Sequence, residues 1–130
     1  MESEAEIARR GVEAFNRGDV DELIERADPE LRLVPVRSLL EGGEYRGHEG
    51  IRKYIDDMDE DWQRREIVID EITDAGDGVL VLGTFKAVGR SGNEVNQPIA
   101  WHTRYRDGKL LSLVAYTDQE SALESLGLQR

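Results

Sequence analysis

The chain has 130 residues, enough for one domain that buries roughly two-thirds of the surface its unfolded chain exposes. Lys and Arg number 17 and Asp and Glu 28, leaving a net charge of −11; such a surface repels nucleic acid and anionic membranes. Because there are no cysteines, disulfides, thiolate nucleophiles and cysteine-based metal sites are excluded. No apolar run approaches the ~20 residues of a membrane span, and the acidic N-terminus lacks a signal-peptide core, so we expect a cytoplasmic protein.

Apolar spacing and turn residues divide the chain into predicted elements. We expect a helix over 4–17, a short helix carrying Val20 to Ala27, a strand with Leu31, Leu33 and Val36, a loop at 41–44, a helix from 47 through Trp62, strands at 65–73 and 78–88, a hairpin around Asp107-Gly108, and a last helix that ends at Gly127. The order is ααβαββββα. Consecutive late strands imply a mostly antiparallel sheet with the helices gathered on one side, an α+β fold.

The hairpin gives the most specific prediction. Two apolar-rich runs flank Asp107-Gly108, a dipeptide favoured in two-residue hairpin turns. Counting outward from that turn, and because side chains alternate along a strand, one face carries the cross-strand pairs Gln97–Asp118, Ile99–Tyr116, Trp101–Val114 and Thr103–Ser112. Aromatic, amide, hydroxyl and carboxylate groups together are typical of a ligand pocket. The alternative is a surface sheet with a few polar residues.

Short motifs follow one another in a characteristic order along nearly the whole chain. They are Phe15-Asn16-Arg17-Gly18-Asp19, Tyr45-Arg46-Gly47-His48-Glu49-Gly50-Ile51, Asp74-Ala75-Gly76-Asp77, Ser91-Gly92-Asn93-Glu94-Val95-Asn96-Gln97-Pro98, Arg106-Asp107-Gly108-Lys109 and Tyr116-Thr117-Asp118, followed by Ala122-Leu123 and Leu126-Gly127-Leu128. With the order of elements, they resemble the SnoaL-like family of the nuclear transport factor two superfamily. The resemblance implies that residues 1–130 form one conical domain, a curved sheet wrapped around helices with a pocket between them, and that no metal or organic cofactor is bound.

The resemblance also implies a homodimer. The second face of the hairpin offers a surface for it, made of Ala100, His102, Leu111, Leu113 and Ala115. One reaction is not implied, because the superfamily includes polyketide cyclases, ketosteroid isomerase, limonene-epoxide hydrolase and members that only bind or scaffold. Hydrolase chemistry is not expected here, since the strand that would carry its Arg/Asp pair, 79–85, has no charge before Lys86.

Asp118 is the candidate acid or base. In the SnoaL-like cyclases an aspartate near the end of the last strand has this role, and Asp118 matches that position. Burial beside aromatic rings would raise the pKa of such a carboxyl toward that of a general base. The alternative is structural. Thr117 and Glu120 fit a capping box that opens the last helix, with Asp118 as an ordinary first-turn acid.

Gln97 and Tyr116 complete the predicted catalytic set. Gln97 is expected to orient a substrate carbonyl or the Asp118 carboxylate, and Tyr116 to stabilise a developing enolate. A cross-strand hydrogen bond and core packing are the alternative uses of these two side chains.

The predicted ligand-binding residues are Trp101, Trp62, Ile99, Val114, Tyr45 and Arg37. The two tryptophans would shape the cavity, although the resemblance places a histidine more commonly where this chain has Trp101. Tyr45 and Arg37 would lie at the rim. Core packing or surface structure is the alternative for each. His48 and His102 are far apart without a carboxylate pattern around them, so no metal site is expected.

Two functions therefore fit the sequence. The first is a cofactor-independent isomerase, cyclase or lyase that transfers protons on a small apolar carbonyl compound. The second is a non-catalytic module of the same fold for ligand binding or dimerisation. In both, the expected partner is a small hydrophobic or aromatic molecule rather than nucleic acid or a membrane.

Overall fold

Residues 2–128, which a computed structural model describes, fold into five helices and six strands. In chain order these are α1 (Glu4–Arg17), α2 (Val20–Glu25), β1 (Ala27–Val34), α3 (Val36–Glu41), β2 (Tyr45–Arg46), α4 (Gly47–Asp61), β3 (Trp62–Asp74), β4 (Val79–Gly89), β5 (Glu94–Arg106), β6 (Lys109–Tyr116) and α5 (Gln119–Ser125). The predicted α+β class is confirmed. None of the helices within this range is long and apolar enough to cross a membrane.

The six strands form one sheet in the order β2-β1-β6-β5-β4-β3. All neighbouring pairs are antiparallel except β1 and β6, which run parallel. The mostly antiparallel sheet is thus confirmed. The parallel pair places β1, the first strand of the chain, beside β6, the last strand.

Two short elements and several boundaries differ from the prediction. Val36 was expected in a strand, but Pro35 is the N-cap of the six-residue helix α3, with a φ of −75° that suits a helix start. The two-residue strand β2 was also missed. Ala27 begins β1 instead of ending α2, and Trp62 begins β3 instead of ending the long helix. These are element ends, where local sequence signals are weakest.

The sheet carries a separate apolar core on each face. Helices α1, α2 and α4 cover the inner face, whereas α5 covers the outer face through Ala122 and Leu123. Strand β4 is buried on both: Val81 belongs to the inner core, and Leu80 and Leu82 to the outer one. A strand with two buried faces reads as a continuous apolar run, as this one does. The sequence had predicted that all the helices lie on one side of the sheet. That prediction is wrong, because α5 covers the outer face.

The hairpin turn forms at the predicted dipeptide, but the predicted register is wrong beyond it. Asp107 and Gly108 both have positive φ, 52° and 77°, as a two-residue turn requires. Next to the turn, Tyr105 pairs with Leu110, but Arg104 then pairs with Ser112. Leu111 is therefore an extra residue in β6, a β-bulge, and a slip of one residue sends every later side chain to the other face.

The bulge changes which β6 residues face inward. The new pairs are Thr103–Leu113, Trp101–Ala115 and Ala100–Tyr116. Ile99, Trp101 and Thr103 stay on the inner face as predicted, but Val114 and Tyr116 face outward, and Leu113 and Ala115 face inward. The proposed dimer surface is therefore not one face, because Leu113 and Ala115 lie opposite to Ala100 and His102.

Two of the sequence motifs fix the sheet against its surroundings. The Asn16 amide at the end of α1 makes two hydrogen bonds with the backbone of Ile67 on β3, Nδ2 to the carbonyl at 2.9 Å and the amide N–H to Oδ1 at 2.8 Å. Gly78, in the turn before β4, has a φ of +79°, and a Cβ there would lie 1.9 Å from the Thr103 carbonyl oxygen. Both motifs therefore position strands that line the inner face.

Candidate functional site

The inner face of the sheet and the helices above it enclose a cavity of about 120 Å³. Its wall is drawn from α1, α2, β1, α4, β4, β5 and β6, and most of it is aliphatic, with Ile7, Leu33 and Leu113 as examples. Among the described residues that line it there is no aspartate, glutamate or histidine. The groups in the wall that carry polar side-chain atoms are Arg26, Tyr54, Trp101, Thr103 and Tyr105. We call this space the inner cavity.

Thr103 and Tyr105 put a pair of hydroxyl groups into the wall. They are two residues apart on β5 and so share a face. The Tyr105 hydroxyl donates to Thr103 Oγ1 at 3.0 Å, and Thr103 Oγ1 lies 3.4 Å from the Val79 carbonyl oxygen. Burial raises the pKa of Tyr105. This side chain is therefore neutral near pH 7, and its oxygen keeps the capacity to accept a further hydrogen bond.

Arg26 brings a positive charge to the same wall. It is the C-cap of α2, and its carbonyl accepts a hydrogen bond of 2.8 Å from the Leu110 amide on β6. Its side chain is 28% exposed. Nε is buried and has no hydrogen-bond partner among residues 2–128. Nε forms an ion pair with Glu22, whose Oε2 is 3.5 Å away, a distance longer than that of a charged hydrogen bond.

Tyr54 is the second tyrosine in the wall. It lies on α4. Burial raises its pKa to about 12, and its ring packs edge-on against Tyr45, with centroids 5.3 Å apart. The phenol is therefore uncharged over the physiological range. Near neutral pH neither lining tyrosine is available as a base.

Asp118 has a different place from the predicted one. It is the N-cap of α5, where its carboxylate accepts hydrogen bonds from the Ser121 amide at 2.7 Å and hydroxyl at 2.9 Å. These hydrogen bonds lower its pKa, whereas a buried general base would have a raised one. The predicted capping box is thus corrected, since Asp118 itself caps the helix in place of Thr117. Asp118 is exposed and does not line the inner cavity.

The other two predicted catalytic residues do not accompany it. Gln97 is exposed and pairs with Phe85 on β4, so it does not lie opposite Asp118 as the predicted register required. Tyr116 packs with the outer core beneath α5. The structure therefore does not bring Asp118, Gln97 and Tyr116 together around one space, and their catalytic roles stay predictions.

The predicted ligand-binding residues divide between the two faces. Trp101 lines the inner cavity. Ile99 belongs to the inner core without lining the cavity, and Val114 faces outward because of the bulge. Trp62 packs edge-on against Phe85, with ring centroids 5.4 Å apart. It therefore supports the end of the sheet rather than the wall of the cavity.

Tyr45 and Arg37 line a separate polar cleft beside α3. The Tyr45 hydroxyl donates to Asp57 Oδ2 at 2.6 Å, and this hydrogen bond lowers the pKa of Asp57. Arg37 Nη2 lies 2.6 Å from Asp61 Oδ2. Both side chains are thus engaged with neighbouring acids on α4. The structure places them away from the apolar wall to which they were assigned as rim residues.

The two histidines bind backbone carbonyls. His48 Nε2 is 3.0 Å from the Ala27 oxygen, and His102 Nε2 is 2.6 Å from the Asp77 oxygen. Within residues 2–128 no group of three or more His, Asp or Glu side chains is arranged to hold a metal ion. Neither histidine lines the inner cavity.

Sequence reasoning missed part of the cavity wall. Gly11 lies on α1 and lines the cavity, and the space that it leaves depends on what lies opposite in the folded chain. Thr103 was placed on the correct face without being singled out. Tyr105 lies beside the turn, and Arg26 follows a helix end, so neither has a local signal that separates it from an ordinary surface residue.

Comparison with known proteins identifies the fold family. The SnoaL-like domain model matches residues 8–113, and no curated protein matches the chain in sequence. An NTF2-like protein from Burkholderia thailandensis is 23% identical, with a TM-score of 0.78 and 100% of each chain covered. A protein of ketosteroid isomerase-like fold from Catenulispora acidiphila, solved in complex with trimethylamine, is 20% identical, with a TM-score of 0.76 over 95% of this chain and 94% of that one. TerC, co-crystallised with polyporic acid, is 20% identical, with a TM-score of 0.78 over 95% of this chain and 98% of that one. At these identities the structures share the fold alone; on the extent of the family match, the chain belongs to the SnoaL-like domain family.

Proposed function

We propose that this protein binds a small, largely apolar organic molecule in the inner cavity. The observation that carries the proposal is a cavity of about 120 Å³ whose wall is mostly aliphatic and aromatic and has no carboxylate or imidazole among its described residues. An engineered cavity of roughly 150 Å³ with a similar lining stays dry and binds benzene. A molecule built on one six-membered ring therefore suits this space.

Binding is favoured over acid–base catalysis by the chemistry of the wall. A general base must lie within hydrogen-bond reach of the proton that it removes and must be unprotonated at the working pH. The titratable groups in the wall are Arg26, Tyr54 and Tyr105. Burial raises the pKa of both tyrosines, and an arginine stays protonated. The wall therefore offers hydrogen-bond donors and apolar surface but no base.

Two similar structures support a binding role without identifying the ligand. One was solved with trimethylamine and the other with polyporic acid, so small organic molecules accompany this fold. For a ligand of about seven heavy atoms, held mainly by apolar contact, we expect a dissociation constant on the order of 0.1–1 mM. Toluene is a suitable first probe because it presents a ring and no charge.

Gly11 makes a test possible that fills the cavity without disturbing its wall. It lies within α1 and lines the cavity, and apart from the neighbouring residues and backbone of its own helix no described atom lies within 4 Å of a Cβ built there. Gly11→Leu should occupy the space while raising helix propensity. Glu13→Leu, at an exposed position of the same helix, is the matched control.

We expect the wild type and Glu13→Leu to bind toluene equally, measured by ligand-observed NMR. We expect Gly11→Leu to bind it at least about tenfold more weakly, because the new side chain takes the ring's place. Circular dichroism establishes that each variant is folded. The proposal is wrong if the folded wild type binds no toluene, or if Gly11→Leu binds it as well as the wild type does.

A further inference from the structure

The short helix α3 carries the two large apolar side chains that are exposed within residues 2–128. Leu39 is 43% exposed and Leu40 is 78% exposed. A single exposed leucine is ordinary on a protein surface, but here two adjacent ones lie on a helix of six residues. Contact of both side chains with water costs free energy that covering them would remove. The two leucines therefore favour a second position of α3 in which they are covered.

α3 is attached to the rest of the chain more loosely than another short helix, α5. The side chain of Asp118 caps α5, and Ala122 and Leu123 anchor that helix in the outer core. Among the described residues, by contrast, no side chain caps α3, and Ser38 is its one buried residue. Most of the stability of a short helix comes from tertiary packing. We therefore expect α3 to leave its position more readily than α5 does.

The C-terminal end of α3 has the features of a hinge. The helix ends at Gly42, and Gly42 and Gly43 have φ values of +83° and +82°. Apart from the neighbouring residues, no described atom lies within 4 Å of a Cβ built at either position. Glycine adopts both signs of φ readily, and hinges are a few residues at the ends of elements that absorb a change in backbone angles. The chain can therefore change direction here without a clash.

α3 bridges two walls of the inner cavity. Its N-cap, Pro35, follows β1 and lines the cavity, and Ile55 on α4 lines it from the other side. Arg37 ties α3 to the last turns of α4, with Nη2 at 2.6 Å from Asp61 Oδ2 and Nη1 at 4.0 Å from Asp57 Oδ2. Since a long, flexible side chain makes this link, α3 can turn while it stays beside α4.

The pairing of the strands places the start of α3 near Trp101. Strand β1 ends at Val34, which pairs with Val114, and the next residue of β6, Ala115, pairs with Trp101. Trp101 lines the inner cavity and is half-buried, so this part of the wall is in contact with solvent. The exposed leucines of α3 thus lie on a loosely held helix that begins at a partly open end of the cavity.

We propose that α3 is a lid on the inner cavity. In this structure Leu39 and Leu40 lie in solvent, and neither is among the described residues that line the cavity. When an apolar molecule is bound, α3 turns about Gly42 and Gly43 and places both leucines over it, beside Trp101. The ligand adds apolar surface for the leucines to cover, so it binds the closed position more tightly and shifts α3 toward it. This inference rests on the proposed function, because the lid acts on the ligand of the same cavity.

The test uses the whole chain with its leucine methyl groups labelled, and toluene as the probe. The variant is the double substitution Leu39→Ser/Leu40→Ser. Because both side chains are exposed, the variant should have the same thermal midpoint as the wild type in the absence of toluene. The matched control is Val88→Ser, an apolar-to-serine change at a half-buried position of β4 that does not line the cavity.

We expect nuclear Overhauser contacts in the wild type between the toluene ring and the methyl groups of Leu39 and Leu40. The double variant should bind toluene at least about fivefold more weakly, because its serines cover the ring with less apolar surface, and Val88→Ser should bind it like the wild type. Toluene that contacts Leu33 and Leu113 but neither lid leucine, or a double variant with wild-type affinity, would overturn this inference alone. A wild type that binds no toluene would overturn the proposed function as well.

Hydrogen exchange in the absence of toluene tests the mobility of the lid separately. The Gly42 amide donates to the Ser38 carbonyl at 2.8 Å in α3, and the Leu126 amide donates to the Ala122 carbonyl at 3.1 Å in α5. We expect the protection factor of the Gly42 amide to be at least about tenfold lower than that of the Leu126 amide. If the two amides were equally protected, α3 would be as firmly held as α5, and it could not act as a lid.

Discussion

The two faces of the sheet carry different kinds of residue. The inner face surrounds a cavity whose described wall has no acid, and its polar groups are three hydroxyls, an indole and one guanidinium. The outer face is closed by α5, and the carboxylate of Asp118 lies at the start of that helix, in solvent. The inner cavity, which has space for a ligand, and the Asp118 carboxylate, which was predicted to be catalytic, therefore lie on different faces of the sheet. This separation favours binding over proton transfer as the use of the inner face.

The largest predicted effect tests the bulge that assigns β6 residues to the two faces. Leu113 lines the inner cavity, and its neighbour Val114 faces outward. Leu113→Glu should lower the free energy of unfolding by about 3 kcal/mol because it buries an unpaired charge, whereas Val114→Glu should lower it by less than about 1 kcal/mol. Urea unfolding measures both. If Val114→Glu proved the more damaging change, the bulge at Leu111 would be misplaced.

An intermediate effect tests how dry the inner face is. Burial raises the pKa of Tyr54 to about 12, above the value of about 10 in an unfolded chain. The folded state therefore holds this proton more tightly, so the contribution to stability is fully present below about pH 10 and is lost as the pH rises toward 12. Between pH 9 and pH 11.5, the wild type should lose about 1–2 kcal/mol more of unfolding free energy than Tyr54→Phe does. If the wild type and Tyr54→Phe lost the same unfolding free energy, Tyr54 would be hydrated and its pKa would not be raised.

The smallest effect concerns the cap on the outer side. Asp118→Asn should lower the thermal midpoint by a few degrees at pH 7, since it weakens the hydrogen bonds to Ser121. Thr117→Ala should change it less, because Thr117 is not the N-cap. The pKa of Asp118 is lowered in the folded state, so this contribution is present above about pH 4 and fades as the pH falls through the lowered value. Toluene affinity should be unchanged in both variants. A tenfold loss of toluene affinity in Asp118→Asn would instead show that the Asp118 carboxylate acts at the inner cavity.

The fold could be predicted largely because its signals are local and repeated. Helix periodicity, the Asp107-Gly108 turn and the double-sided apolar run of β4 each reflect the physics of a few neighbouring residues. The short helix α3 was missed, since six residues after Pro35 carry no periodicity that separates a helix from a strand.

The site was harder to predict, because it depends on a single inserted residue. Nothing in the sequence around Leu111 marks it as a bulge. Because of that extra residue, Leu113 lies on the inner face in place of Val114. For β5, the prediction that Trp101 and Thr103 share one face follows from the alternation of side chains and does not depend on the pairing with β6. Both side chains lie on the inner face, as predicted. Arg26 could not be found from sequence, because it follows a helix end without a local signal and only the folded chain brings it beside Leu110 of β6.

The most direct test of the account is where a bound ring makes contact. With methyl-labelled protein and toluene, NMR should detect nuclear Overhauser contacts from the ring to Leu33, Val81 and Leu113, which face inward. It should detect none to Val114 or Leu126 on the outer side. Contacts to the outer methyl groups, or a bound ring with none to the inner ones, would contradict the claim that the inner cavity is the functional site.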